Sequence, residues 1–191
     1  MWDLRHGDPT RRPEAAAVLT QNRHLLPPQG LALDLACGFG GNALLLAESG
    51  LMVSAWDLSP VAVERLRNRV LEQGLANLQA EVRNVEERPP AAESFDVIVV
   101  THYLERRLVP ALVAALKPGG LLFYQTFTQI AVSNRGPENP VFRLADNELL
   151  RLFKDLAIRF YREENRLGNL REGHRDVAML VAERPGTRCK P

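Results

Sequence analysis

Apolar residues along this chain occur in short, nearly continuous runs that alternate with amphipathic segments. Such runs are typical of strands buried on both faces of a parallel sheet. Seven strands are predicted, over 30–37, 51–57, 77–85, 95–103, 120–127, 156–166 and 174–184. Segments with helical spacing are predicted over 13–27, 40–50, 59–74, 108–120 and 145–153.

The alternation of strands and helices predicts an α/β fold. We expect a doubly wound, seven-stranded, mostly parallel sheet with helices on both faces. The last two predicted strands have no helix between them, which predicts an antiparallel C-terminal strand. The pattern indicates a single domain over 1–191, with an N-terminal lid or helix over 1–28 and a substrate loop over 128–146.

Composition limits the classes of binding partner that the chain is expected to have. Apolar residues make up 46% of the chain, charged residues 25%, and the net charge is +1. This balance predicts a globular core and argues against nucleic acid or an anionic membrane as the main partner.

The polar N-terminus, the lack of a long apolar run and the distant cysteines Cys37 and Cys189 favour a cytoplasmic protein. The four histidines lack metal-ligand spacing, so no metal site is expected. The oligomeric state stays open.

The stretch Leu33–Gly50, "LDLACGFGGNALLLAESG", carries the first chemical signal. Gly38 and Gly40 lie at the predicted turn from the first strand to the next helix, where backbone without Cβ atoms can pass close beneath a ligand. With Asp57 near the end of the second strand, the spacing fits a fingerprint for ligands that contain adenosine. A carboxylate at that place can accept hydrogen bonds from both ribose hydroxyls.

Asp34 helps to choose between two classes of cofactor. A carboxylate beside the turn would repel the pyrophosphate of a nicotinamide or flavin dinucleotide. S-adenosylmethionine has no phosphate, and its ammonium group would be attracted to Asp34 directly or through water. Asp34 as a structural residue is the alternative, in which case its charge needs a cationic partner or hydrogen bonds.

Four segments together resemble the class I S-adenosylmethionine-dependent methyltransferases: "LDLACGFGGNA", "AWDLSPVAVERL", "FDVIVV" and "LKPGGLLFYQTF". Within that superfamily the chain is most similar to small bacterial tellurite-resistance-type enzymes. The resemblance implies S-adenosyl-L-methionine as cofactor and direct, in-line methyl transfer to an acceptor. It also implies a cofactor site that includes Asp34, Ala36, Gly38, Gly40, Asp57, Leu58, Asn84, Val85 and Thr101.

Thr101 and His102 would face the methyl-transfer centre according to this resemblance. His102 is the best candidate for a polar contact with the acceptor or for removing its proton. A histidine that only contacts backbone or cofactor is the alternative. Candidate substrate residues are Tyr103, Gln125, Arg135 and Arg143, the last two as a cationic mouth with His102 for an anionic acceptor.

Several simpler interpretations compete. Arg106 and Arg107 are expected to form a solvated face, and Cys37 is expected to be a small turn residue rather than a nucleophile. Trp2 and His6 belong to a segment that could close over the cofactor or fray.

The leading hypothesis is a methyltransferase for a small-molecule acceptor. The alternatives are a catalytically silent binding module, a methyltransferase for protein or RNA, and a nicotinamide-dependent oxidoreductase.

Overall fold

A computed structural model describes residues 13–186 of the chain. Within this part, seven strands form one sheet: β1 (Leu31–Leu35), β2 (Met52–Asp57), β3 (Leu78–Val82), β4 (Phe95–Thr101), β5 (Leu116–Phe127), β6 (Ala157–Glu163) and β7 (Val177–Glu183). The helices are α1 (Ala17–Gln21), α2 (Gly41–Glu48), α3 (Pro60–Gln73), α4 (Val109–Ala115) and α5 (Glu148–Leu152). Three short 3-10 turns occupy Arg23–Leu25, Arg106–Leu108 and Pro140–Phe142.

The strand order in the sheet is β3-β2-β1-β4-β5-β7-β6. Strand β7 runs antiparallel to both β5 and β6, and the other neighbours are parallel. The prediction of a doubly wound, mostly parallel α/β sheet with an antiparallel C-terminal strand is therefore confirmed. The chain order reverses between β1 and β4, and ligands of open α/β sheets bind at the carboxyl ends of strands beside such a point.

The core lies on both faces of this sheet, which explains the continuous apolar runs. Alternate residues of one strand point to opposite faces, so Leu33 and Ala32 belong to different clusters. One cluster includes residues of α4 and α5, and the other includes residues of α1, α2 and α3.

Helix α3 follows its sequence signals closely. The Ser59 hydroxyl accepts a hydrogen bond from the Ala62 amide at 3.2 Å, and Pro60 begins the helix. Gly74 ends the helix in the left-handed conformation, with φ 64°. An N-cap serine and a C-terminal glycine stabilise the two ends in the expected way.

Two predicted helices are much shorter in the structure. The segment predicted as a helix over 13–27 is only α1 and a 3-10 turn, and the Ala16 and Val18 amides at its start donate to side chains of other elements. The helix predicted over 108–120 ends at Ala115, and 116–120 belongs to β5. There Lys117 bonds Asp96 at 2.8 Å, next to an irregularity in the pairing with β4.

No helix within 13–186 has the length and apolar character needed to cross a bilayer.

Candidate functional site

The turn between β1 and α2 is built from three residues with positive φ: Ala36 (55°), Gly38 (52°) and Gly40 (81°). A Cβ on Gly40 would lie 2.4 Å from the Leu66 side chain of α3, so this glycine lets the turn pack against that helix. Ala36 is in a conformation that side chains rarely adopt, and such strain often marks functional sites.

The Asp57 carboxylate, at the end of β2, is hydrogen-bonded to this turn. One carboxylate oxygen accepts the Gly38 amide at 2.7 Å, and the other accepts the Ser59 amide at 2.8 Å. Each oxygen keeps acceptor capacity, because a carboxylate has about four lone-pair sites. The half-buried Asp57 carboxylate is thus held in a fixed orientation where a ribose could donate two hydroxyls.

Asp34 is completely buried at the end of β1. Its carboxylate accepts the Ala43 amide at 3.0 Å and the Asn42 side-chain nitrogen at 3.4 Å. Burial raises the pKa of Asp34 to about 7, although these two bonds act against the rise. Hydrogen bonds satisfy the carboxylate here, and within 13–186 it has no salt bridge to a cation. Attraction of an ammonium group to Asp34, directly or through water, stays a prediction.

Asn42 is a site residue that the sequence interpretation missed. It is 5% exposed and donates to the Thr101 hydroxyl at 3.0 Å as well as to Asp34. Its side-chain oxygen accepts the Ala16 amide at 2.9 Å, which attaches the N-terminal segment. The sequence signal for it is a polar side chain within the apolar run of α2. A buried amide needs hydrogen-bond partners, so such a side chain indicates a place where several polar groups meet.

Leu58, Asn84 and Val85 were assigned to the adenine side, and the structure places them after β2 and β3. Leu58 is 63% exposed, whereas Val85 is buried. The Asn84 side-chain oxygen accepts the Glu86 amide at 3.1 Å, which orients the Asn84 amide. The same oxygen has a second lone pair for an amino group.

His102 follows directly after β4 with φ 56°. Its amide donates to the Gln125 carbonyl at 2.8 Å, and its ring packs on Phe127 with centroids 5.0 Å apart. Desolvation by the packed groups and then the positive charge of Arg135 lower the pKa of the imidazole, although the residue keeps an exposed side. The lowered pKa favours the neutral imidazole, which can accept a proton.

Tyr103 and Gln125 flank His102, but both side chains are already engaged. The Tyr103 hydroxyl donates to Glu86 at 3.2 Å. Desolvation and the Glu86 charge raise the pKa of that hydroxyl. Gln125 is 6% exposed and lies between the Val18 amide and the His102 ring. As substrate residues, Tyr103 and Gln125 stay predictions.

Arg143 braces the 128–146 loop. Its guanidinium donates to the carbonyls of Pro137 (2.7 Å), Thr128 (3.0 Å) and Arg135 (2.6 Å). These bonds use three of the five N–H donors of the guanidinium, and two remain. Arg135 is exposed and forms no salt bridge within the described part of the chain. The cationic mouth of Arg135, Arg143 and His102 stays a prediction.

The expectation of a solvated arginine pair is wrong for Arg106. Its guanidinium binds Glu148 at 2.6 and 3.0 Å, and it also donates to the carbonyls of Val141 and Arg143. Arg106 therefore fastens the loop to α5, while Arg107 is exposed as expected. No local sequence pattern indicates this pairing, because its partners are far apart along the chain.

The remaining candidates are Cys37, a possible metal site and the N-terminal segment. Cys37 is buried, and burial raises the pKa of its thiol, which opposes the thiolate form that a nucleophile needs. Between residues 13 and 186, no group of three or more possible ligands could hold a metal ion. Trp2 and His6, assigned to the possible lid, lie outside the described residues.

Comparison with known proteins agrees with this geometry. Residues 32–120 match a family described as "Methyltransferase domain". A ubiquinone biosynthesis O-methyltransferase of Coxiella burnetii is 30% identical over 102 residues, which is 51% of this chain and 43% of the relative. The matched region spans about half the length of the curated relatives, or slightly less.

Two solved structures show the same fold. TehB of Haemophilus influenzae has a TM-score of 0.68 at 22% identity, over 87% of this chain and 61% of TehB. The [4+2]-cyclase SpnF has a TM-score of 0.70 at 18% identity, over 88% of this chain and 79% of SpnF. The name of SpnF refers to a reaction other than methyl transfer, so the fold alone does not fix the reaction.

Proposed function

Because the chain carries a class I S-adenosylmethionine-dependent methyltransferase domain, we propose that it transfers a methyl group to a small-molecule acceptor by direct, in-line displacement. The Asp57 carboxylate carries this proposal, since two backbone amides hold it beside the glycine turn. The matched family and the methyltransferase names of the curated relatives support it.

The residues fit S-adenosylmethionine better than a dinucleotide. Asp57 would accept the ribose hydroxyls, and the turn through Gly38 and Gly40 would lie beneath the methionine part. The Gly38 amide is already given to Asp57, so it is unavailable for a pyrophosphate. Asp34 adds negative charge at the same place, which favours an ammonium group over a phosphate.

The other contacts follow from position. Leu58, Asn84 and Val85 would border the adenine, and Ala36 and Thr101 the methionine end. When bound, the cofactor supplies a methyl group that its sulfonium already activates. The chain's own residues then have to hold the acceptor in line and exclude water.

His102 would contact the acceptor at the end of β4. Its lowered pKa keeps the imidazole neutral, so a ring nitrogen can take the proton of a hydroxyl acceptor. The curated relatives are named O-methyltransferases, which places hydroxyl-bearing aromatic compounds first in an acceptor panel. Inorganic tellurite belongs in the panel because of the resemblance to tellurite-resistance-type enzymes.

Turnover with a panel of acceptors tests this proposal. Formation of S-adenosylhomocysteine would be measured for the wild type, Asp57→Asn and Asp96→Asn. Asp96 is a matched control, since its carboxylate accepts the Leu31 amide at 2.7 Å at the opposite end of the sheet. We expect Asp57→Asn to raise KM for the cofactor about tenfold or more, in line with a lost charged hydrogen bond.

The control should keep the wild-type KM. Binding of the cofactor without product from any acceptor would contradict the proposal and favour a catalytically silent binding module. Product from protein or RNA alone would contradict the small-molecule part.

A further inference from the structure

Two buried amide side chains, Asn42 and Gln125, join the N-terminal helix α1 to the candidate site. Asn42 is 5% exposed and Gln125 is 6% exposed. The Ala16 amide donates to the Asn42 oxygen at 2.9 Å, and the Val18 amide donates to the Gln125 oxygen at 3.0 Å. Both contacts cross large sequence separations, so they form only when α1 is docked.

These contacts determine which way each amide points. A backbone N–H can only donate, so the side-chain atom that faces it is the oxygen. The nitrogen of each amide is thereby turned toward the site. The Asn42 nitrogen faces Asp34 and Thr101, both of which can accept. The Gln125 nitrogen lies 3.5 Å from Nε2 of His102.

This orientation fixes the state of the histidine. An amide nitrogen has no lone pair to offer, so a hydrogen bond across the 3.5 Å between it and Nε2 of His102 requires Nε2 to accept and the ring hydrogen to lie on Nδ1. A hydrogen on Nε2 would bring two donors together. The only charge known to act on His102 within 13–186 is that of Arg135, which is also positive. Phe127 packs against the ring and is uncharged.

We propose that Gln125 is a positioning residue: oriented by α1, it holds His102 in the neutral form with hydrogen on Nδ1 and with Nε2 as acceptor. This assigns Gln125 to the histidine rather than to the substrate, and a hydroxyl acceptor would replace the Gln125 amide, 3.5 Å away, at Nε2 when that nitrogen takes the proton. The link to methyl transfer rests on the proposed function, but the state of His102 is measurable without turnover.

The first test uses the wild-type chain. Nitrogen-15 NMR of the imidazole, assigned with a His102→Asn spectrum, reports which ring nitrogen carries the hydrogen. At about pH 8 we expect Nδ1 to be protonated and Nε2 bare. The opposite tautomer would overturn the proposal, whatever the activity.

The second test is Gln125→Glu, which keeps the size of the side chain and its bond to the Val18 amide. It places a carboxylate oxygen near Nε2, which favours the imidazolium and raises the pKa of His102. The control Gln79→Glu adds the same charge on β3, at the far edge of the sheet, and should leave the titration unchanged.

An unchanged His102 titration in Gln125→Glu would contradict the proposal, because a residue with only a packing role would lower stability without moving that titration. If the enzyme turns over, the acidic limb of its pH–rate profile should move to higher pH in the same variant. A shifted titration with no turnover would uphold the positioning role and refute the proposed function instead.

Discussion

The candidate site has two halves that are built in different ways. The cofactor half is the turn between β1 and α2 with Asp34 and Asp57, and the acceptor half is His102 with Gln125 and the 128–146 loop. In the cofactor half, Asp57 binds the Gly38 and Ser59 amides, and Asp34 binds the Ala43 amide. These are contacts between neighbouring strand ends and the turn that follows them. They depend on the local backbone conformation and on two carboxylates, so a short sequence motif is enough to specify them.

The acceptor half is assembled from distant parts of the chain. Arg106 reaches Glu148, which is 42 residues away, and Gln125 reaches Val18, which is 107 residues away. The geometry of the cofactor half is therefore determined by local sequence, whereas the geometry of the acceptor half depends on tertiary contacts. We therefore expect changes in the two halves to separate cofactor binding from acceptor handling.

The largest effect is expected for Asn42→Asp in the cofactor half, where the Asn42 side chain donates to Asp34 and Thr101. The variant can still accept the Ala16 amide, but it places a second carboxylate against buried Asp34. We expect the free energy of unfolding at pH 8 to fall by about 3 kcal/mol. The loss should be smaller at pH 6, because a carboxyl with a raised pKa binds a proton in the folded state, so stability declines as pH rises.

Urea unfolding at both pH values measures this effect, and calorimetry with S-adenosylhomocysteine measures the accompanying loss of binding. Asn22→Asp is the control, since Asn22 is also buried but donates to the Val18 carbonyl instead of to a site residue. It should retain cofactor affinity. Equal losses of affinity in both variants would mean that Asn42 has no special place in the site.

Asp34 predicts a pH dependence that belongs to the cofactor half alone. Its pKa of about 7 means that the carboxylate becomes ionised as pH rises through neutrality. If it attracts the ammonium of the ligand, affinity for S-adenosylhomocysteine should rise with pH below about 7, approaching tenfold per unit. Calorimetric titrations from about pH 5.5 to 7.5 test this, with Asp34→Asn expected to be weak and independent of pH. A flat wild-type profile would remove Asp34 from ligand recognition.

Arg106→Gln should disturb the acceptor half and leave the other half intact. Loss of the bonds to Glu148 and Val141 loosens the loop and costs about 1–2 kcal/mol of unfolding free energy, since the pair is partly exposed. We expect KM for the acceptor to rise severalfold, with unchanged affinity for S-adenosylhomocysteine. Arg107→Gln, at the exposed neighbour, is the control. A parallel loss of cofactor affinity would show that the halves are not separable.

The smallest effect is expected for Arg135→Gln. Removing this charge should raise the pKa of His102, because the guanidinium opposes protonation of the imidazole. The acidic limb of the pH–rate profile would then move to higher pH, and high salt should reduce the difference from the wild type, since exposed charges are screened. A salt-independent shift would indicate rearrangement of the loop instead.

The sequence predicted the α/β class, the mostly parallel sheet and a glycine turn near Asp57, because strand periodicity, the glycine turn and the acidic residue are local signals. It did not predict that Asp34 is enclosed by Asn42, since burial depends on how α2 packs. The positions of Arg106 and Arg143 were also beyond it, because an arginine looks the same whether its partners are water or distant carbonyls. Their roles follow only from the tertiary structure.

The central claim is that the cofactor half selects S-adenosylmethionine over dinucleotides. Calorimetric titration of the wild-type chain with S-adenosylhomocysteine and with NAD⁺, under the same conditions, tests it most directly. We expect saturable binding of S-adenosylhomocysteine with one site per chain and no measurable binding of NAD⁺. Tight binding of NAD⁺ with no response to S-adenosylhomocysteine would contradict it.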